Sequence, residues 1–323
     1  MHDLDTSRED DTTAHVECFQ ILANEVRYEI LRELSVASDP VPFTTLQERI
    51  DVADSGNFNY HLSQLIDQFI EKTSRGYVLR SSGQSVIDAV RMSSLTHEVE
   101  IQPRRIDATC PLCGAPQRCG YRGSMLELWC TACSGMSGPQ HGDGRLVSLA
   151  FPASGLVGRG LQEAVEVALR WFNAQIIALL DGFCPDCMGP VQMEIELCES
   201  HTTERDGICP SCQHRSRGWL IHTCATCHNG RSYPIWHTAL FSPDVLDWLH
   251  PRIHPFERAP LVPFFLGTNG TRRYVSEEVV EEDPLTLQAT VHLDDDKRSL
   301  LIDASPSGHS VTLSTELARG TAD

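Results

Sequence analysis

The chain has 323 residues, room for two or three domains with cores of their own. Forty-four acidic residues against 26 basic ones give a net charge of −18; only Lys72 and Lys297 are lysines, so 24 of the 26 basic residues are arginines. This balance speaks against an ordinary basic nucleic-acid-binding surface, no apolar run follows a basic start as in a signal peptide, and the apolar cluster at 176–180 is too short to span a bilayer.

Acidity with lysine nearly absent reads as adaptation to molar salt, where a carboxylate-rich surface stays hydrated. A soluble cytoplasmic protein with no membrane partner is expected. Molar salt also weakens the charge objection to DNA. Phosphate contacts gain affinity mainly by counterion release, and that gain shrinks as salt rises.

In chain order, residues 1–13 are polar and charged and read as a disordered tail. Residues 14–97 are helical in pattern. Leu22, Val26, Ile30, Leu31 and Leu34 fall on one face of a first helix. After the break at 38–42, a short helix carries Leu46 and Ile50. Ser55-Gly56 opens a third helix whose apolar face is Phe58, Leu62, Leu65, Ile66 and Phe69. Gly76 sits between two short extended pieces, as in a β-hairpin. A fourth helix holds Val86, Ile87, Val90 and Met92.

Three helices, a hairpin and a closing helix make a winged helix-turn-helix. The stretches LANEVRYEILREL, NYHLSQLIDQFI and GYVLRSSG resemble the first helix, recognition helix and wing end of ArsR-type winged-helix regulators. The segment around "DSGNFNYHL" resembles haloarchaeal members with cysteine-rich C-terminal regions. Phe69-Ile70 stands where Gly-Val is common in the family, and Arg80 where Thr is common.

The resemblance implies a sequence-specific transcriptional regulator of double-stranded DNA. It also implies a homodimer built through flanking helices, here residues 14–24 and 83–97, with 158–182 a further candidate. The family's metal-sensing cysteine pair in the recognition region is absent, so metal sensing is not implied. The third helix would enter the major groove, and its outward residues are Ser55, Asn57, Asn59, Tyr60, His61 and Gln64. The hairpin adds Lys72, Arg75 and Arg80 for phosphates. The alternative is a docking winged helix within an adaptor, whose zinc ribbons bind protein or RNA.

The expected fold class is α+β. After the winged helix come a first zinc ribbon at 98–157, a long linking helix at 158–182 and a second ribbon at 183–238. A helix and a small antiparallel sheet close the chain at 239–323. The linking helix shows Leu161, Val165, Leu169, Phe172, Ile176 and Leu180 on one side. Residues 285–293, 298–304 and 310–314 read as three antiparallel strands, with turns at 294–296 and 306–308.

Thirteen cysteines carry the chemistry. Cys110, Cys113, Cys130 and Cys133 form two CxxC pairs with 16 residues between them, a zinc-ribbon spacing. Beyond residue 182 the pairs nest. Cys184 and Cys187 close with Cys224 and Cys227 across 36 residues. Inside that loop Cys198 and His201 close with Cys209 and Cys212 across 7 residues. His214, His222 and His228 are alternatives to His201. Cys18 and Cys119 are left over. About three structural zinc ions are expected. Four protein ligands close each site, and no HExxH, Walker loop, GxSxG or GxGxxG accompanies them, so no enzyme is expected.

Overall fold

The computed structural model describes residues 12–92, 99–138, 140, 143–202, 207–249, 251, 262–266, 273–283, 285–293, 296–307 and 310–317. The chain is mixed α and β, with small antiparallel sheets and, among the described residues, eight α-helices. It divides into two compact units, Met1–Thr96 and His97–Asp323. No described helix is long and apolar enough to cross a membrane.

The first unit runs α1 (Thr12–Leu22), α2 (Glu25–Ser35), α3 (Phe43–Ile50), α4 (Ser55–Leu65), β1 (Ile70–Thr73), β2 (Gly76–Leu79) and α5 (Ser81–Met92). The tail expected at 1–13 lies outside the described residues as far as residue 11, while Thr12 and Thr13 open α1. The single first helix expected across Leu22 and Val26 is two helices. Asn24 caps α2 from an extended conformation, its side chain accepting from the Arg27 N–H at 3.2 Å, and so breaks the run. The third helix is also shorter than expected. It stops at Leu65, because Ile66 is extended and Asp67 takes a left-handed φ of 69°. Phe69 still reaches the core from the turn that follows.

Asp54 starts α4 by accepting from the N–H groups of Gly56 and Asn57. Ile30, Leu31, Leu46, Phe58, Leu62 and Leu65 are fully buried together. Val41 pairs with Tyr77 through two backbone bonds of 2.9 Å, adding a third extended piece beside β1 and β2. Gly76 has φ 143°, and a Cβ there would lie 2.4 Å from the Val41 carbonyl oxygen, so this approach requires glycine.

The second unit begins with a sheet ordered β3 (Ile101–Thr109), β4 (Pro116–Arg122), β5 (Met125–Cys130) and β6 (Arg145–Ala150). Gly123 and Ser124, both with positive φ, make the tight turn from β4 to β5. Then come α6 (Leu161–Leu180) and a sheet of β7 (Val191–Leu197), β8 (Gly218–Cys224) and β9 (Gly230–Pro234). A 3-10 helix (Ile235–Phe241), α7 (Pro243–Leu249) and α8 (Val262–Phe265) follow. A four-stranded meander of β10 (Arg273–Glu282), β11 (Leu285–Leu293), β12 (Asp296–Ser307) and β13 (Ser310–Leu317) ends the unit.

Two sequence expectations change here. The closing sheet has four strands, because β10 pairs along the full length of β11. Its acidic SEEVVEE run hid its strand character. The turn residues Asp296, Pro306 and Ser307 lie inside β12, while 294, 295 and 308 lie outside the described residues. The helix expected to link two modules is buried in a core shared with them. Val165, Leu169 and Ile176 meet residues of β4–β6, β8, α7, β11 and β12 in one cluster. Ala164, Ala168 and Ala178 widen the apolar stripe and allow close packing.

Glu277 ties β10 to β8. Its carboxylate accepts from the backbone N–H of Arg217 and from that of Gly218. Burial pushes its pKa up to about 7, against the pull of those two N–H groups and the Arg217 charge. A carboxyl with a raised folded-state pKa stabilises the fold most at low pH and loses that contribution as pH climbs through the folded value. Stability is therefore expected to fall as pH rises from about 4.5 to about 7 and to level off above it, and Glu277→Gln should flatten that slope. Denaturant unfolding at several pH values checks it.

Candidate metal centres

The three sulfur clusters are built by strand register. β4 pairs with β5, Gln117 opposite Cys130. This brings the turn before β4, holding Cys110 and Cys113, to the end of β5 at Cys130 and the loop after it, holding Cys133. β7 pairs with β8 from Val191 opposite Cys224 to Leu197 opposite Gly218. One end of that hairpin gathers Cys184, Cys187, Cys224 and Cys227. The other end gathers Cys198, His201, Cys209 and Cys212. In each of the three groups the ligand atoms lie within 4.8 Å of one another.

The spacings suit a tetrahedral ion. Cys110 and Cys133 sulfurs are 3.7 Å apart, and Cys113 and Cys130 sulfurs 3.5 Å. The Cys184–Cys227 and Cys187–Cys224 separations repeat these values, at 3.7 and 3.5 Å. A tetrahedron with metal–sulfur bonds of about 2.3 Å has edges of about 3.8 Å. No disulfide joins any of the cysteines. The three groups are therefore competent to hold three metal ions.

His201 completes the third group, its Nδ1 lying 3.5 Å from the Cys212 sulfur. Burial lowers its pKa, which favours the neutral imidazole that a metal requires. Two of the three alternative histidines are engaged elsewhere. His214 Nδ1 meets Ser137 Oγ at 3.3 Å and its ring lies against Trp219. His222 stacks on Tyr233 in the core. Cys119 is buried in β4, and Cys18 on α1 meets Gln68, so neither joins a cluster.

Backbone N–H groups aim at the sulfurs. Ala132 and Cys133 donate to Cys130 Sγ at 3.3 Å. Thr226 and Cys227 donate to Cys224 Sγ at 3.3 and 3.4 Å. The bond from Cys227 is the main reason the Cys224 thiol falls to about 6. At Cys133 the thiol is lowered to about 5, chiefly by the bond from Cys110. The backbone donors favour the thiolate at Cys224, while the Cys110 thiol rises as it bonds Cys133.

A repeated backbone device escaped the sequence reading. The residue after the second cysteine is left-handed in four pairs: Gly114 (φ 79°), Met188 (64°), Gln213 (60°) and His228 (58°). In each, its N–H bonds back to the carbonyl of the first cysteine, at 2.8 to 3.1 Å. Only Gly114 advertises this conformation. Comparing the four pairs with one another was the available signal. Also unforeseen, 135–138 pair with 213–215. Gly138 N donates to Gln213 O at 2.8 Å and Arg215 N to Met136 O at 3.0 Å, joining the first cluster's loop to the third's.

The residues expected to read DNA lie on the outward side of α4 and on the hairpin. Ser55, Asn57, Asn59, Tyr60 and Gln64 are exposed, as are Lys72 and Arg75. His61 is half-buried, its ring edge-on to Tyr60, and burial lowers its pKa. Lys72 lies 6.0 Å from the centre of the Tyr77 ring. Arg80 is exposed but donates to the Asp67 carbonyl, so it fixes the turn between α4 and β1.

Residues 107–307 match a family described as a domain of unknown function, DUF7351, and the chain belongs to that family. Residues 15–90 match a second domain of unknown function, DUF7347. No curated protein and no solved structure matches the chain.

Elemental analysis of the purified chain should count three ions per molecule, one per cluster. Cys198→Ala should lower the count to two, and Cys119→Ala should leave it at three. Two ions in both the wild type and Cys198→Ala would remove the third centre.

Proposed function

We propose that this chain is a sequence-specific, DNA-binding transcriptional regulator of the ArsR-like winged-helix type, with three structural zinc ions in its second unit. The observation that carries the reading is the division of α4. Phe58, Leu62 and Leu65 are fully buried, while Asn57, Asn59, Tyr60 and Gln64 stand exposed. Side-chain amides can bond the N6 and N7 edge of adenine bidentately, and the tyrosine hydroxyl can reach phosphate or base. The order α2, α3, α4, β1–β2 hairpin and α5, with Val41 bridged to Tyr77, is the order expected of a winged helix.

An uncharged reading face suits a protein of net charge −18. In molar salt little affinity comes from counterion release, so hydrogen bonds to bases carry more of the recognition. Dimerisation through α1 is supported by Phe19, 72% exposed, and Val16, 48% exposed, on that helix. Zinc is favoured over other metals by donor sets of tetrahedral spacing, two of them all cysteine and the third three cysteines with one histidine. With four protein ligands each, the sites leave no position for substrate, which supports a structural role for the ions.

Selection of source-genome fragments by the zinc-loaded protein in molar potassium chloride tests the reading. A discrete set sharing a short two-fold motif is expected. Asn57→Ala, Asn59→Ala and Gln64→Ala should each weaken binding to that motif by about 1–3 kcal/mol, with non-specific binding retained. No enrichment from folded protein would overturn the reading in favour of an adaptor.

A further inference from the structure

A row of guanidinium groups and one indole crosses all four strands of the first sheet of the second unit. Register sets Arg105 of β3 opposite Arg118 of β4, Arg118 opposite Trp129 of β5, and Trp129 opposite Arg145 of β6. Residues directly opposite in an antiparallel sheet share a face. Strands stand about 4.8 Å apart, so the row is about 14 Å long. The alternating residues Gln117, Cys119, Tyr121, Leu126 and Leu128 are buried, which leaves the row on the other side of the sheet. Arg105 and Arg118 are exposed, and Trp129 and Arg145 are half-buried.

The indole is seated by a missing side chain. Gly120 lies diagonally across from Trp129 on β4, and a Cβ there would come within 3.2 Å of Trp129 Cζ3 and 3.3 Å of Pro103 Cγ. Glycine at this position lets the ring lie down over β4. A ring held in this way has less freedom to lose when something stacks on it.

The charge of this face departs from that of the chain. Residues 101–150 hold five arginines against three acidic residues, in a chain of net charge −18. Arg122, also exposed, extends the patch along β4 opposite Met125. Arg105, Arg118 and Arg122 have no carboxylate partner among the described residues. Of the three acids, Glu127 shares the face and pairs with Arg145 at 3.5 Å, which also fixes the Arg145 guanidinium on that side. Asp107 lies on the edge strand β3 and Asp143 in the loop before β6. Like charges directly opposite each other, as Arg105 and Arg118 are, destabilise a sheet unless an anion joins them.

These groups select a ligand that is both anionic and planar. Guanidinium groups bind phosphate bidentately and stack on rings, and an indole stacks on any base. A duplex keeps its base faces inside, whereas a single strand presents base faces and phosphates together. An acidic peptide would engage the arginines and leave the ring unused. We propose that this face of the first sheet binds single-stranded nucleic acid, a base stacking on Trp129 and phosphates meeting Arg105, Arg118 and Arg122. Stacking and bidentate hydrogen bonds carry the affinity where salt suppresses counterion release. The site stands independently of duplex recognition by α4.

Fluorescence anisotropy with the full, metal-loaded chain in molar potassium chloride tests it. The probes are labelled oligo(U) and oligo(dT) of about 12 nucleotides, with polyglutamate as the acidic-peptide control. Saturable binding of one or both strands is expected, and the tighter of the two identifies RNA or DNA as the source. Trp129→Ala should raise that Kd about fivefold or more, and Trp129→Phe, which retains a ring, should recover most of the loss. Arg118→Gln, at an exposed position, should raise it about fivefold to tenfold. Asn57→Ala on α4 should leave it unchanged. Metal content and circular dichroism verify the fold of each variant. No saturable binding of either strand, equal binding of polyglutamate, a Kd unchanged in Trp129→Ala or Arg118→Gln, or binding lost in Asn57→Ala would each overturn the proposal.

Discussion

Thiolate convergence is the constraint on which the second unit depends. Each cluster closes a loop whose ends the chain keeps apart, by as many as 36 residues between Cys187 and Cys224. Closing such loops costs entropy that grows slowly with length, which a bound ion would offset; structural zinc, for instance, releases about 10–16 kcal/mol. The balance tolerates local strain. Met188, Gln213 and His228 all hold the left-handed conformation, at roughly 1–2 kcal/mol each. They adopt it because the turn must present two sulfurs to one point while its N–H groups face them. The same geometry recurs at four places with four different residues in the strained position, so the metal-binding turn dictates the backbone and the side chain follows.

The β7–β8 hairpin explains why the second and third clusters nest. β7 is seven residues long, about 20 Å when extended. Antiparallel register sets Val191 against Cys224 at one end and Leu197 against Gly218 at the other. Cys184 and Cys187 therefore meet only Cys224 and Cys227. Joining them to Cys209 and Cys212 would require both ends of one strand to meet. Spacing alone suggested the nested order, and a single hairpin enforces it.

What was legible follows from how locally each feature is encoded. The three clusters were legible because CxxC pairs at these spacings commonly gather four ligands around one ion. The apolar face of α4 was legible because Phe58, Leu62 and Leu65 recur at helical spacing. The break between α1 and α2 was not, because Leu22 and Val26 keep the helical period across Asn24, whose capping bond is a short-range event. The strand β10 was hidden by its glutamates. Of these, Glu277 is buried against Arg217 and Gly218, a tertiary contact 59 residues away that no local pattern records. The role of α6 was also non-local. Its periodicity announced an amphipathic helix, but the width of the stripe supplied by Ala164 and Ala168 matters only once strands from both sides are present.

The same backbone network joins two of the clusters. The loop beyond Cys212 is paired to 136–138, just beyond the first cluster. An ion that orders the loop of the third cluster would therefore lower the entropy cost of ordering the loop of the first. Linkage requires the converse by the same factor, so the two centres would fill more readily together than either does alone.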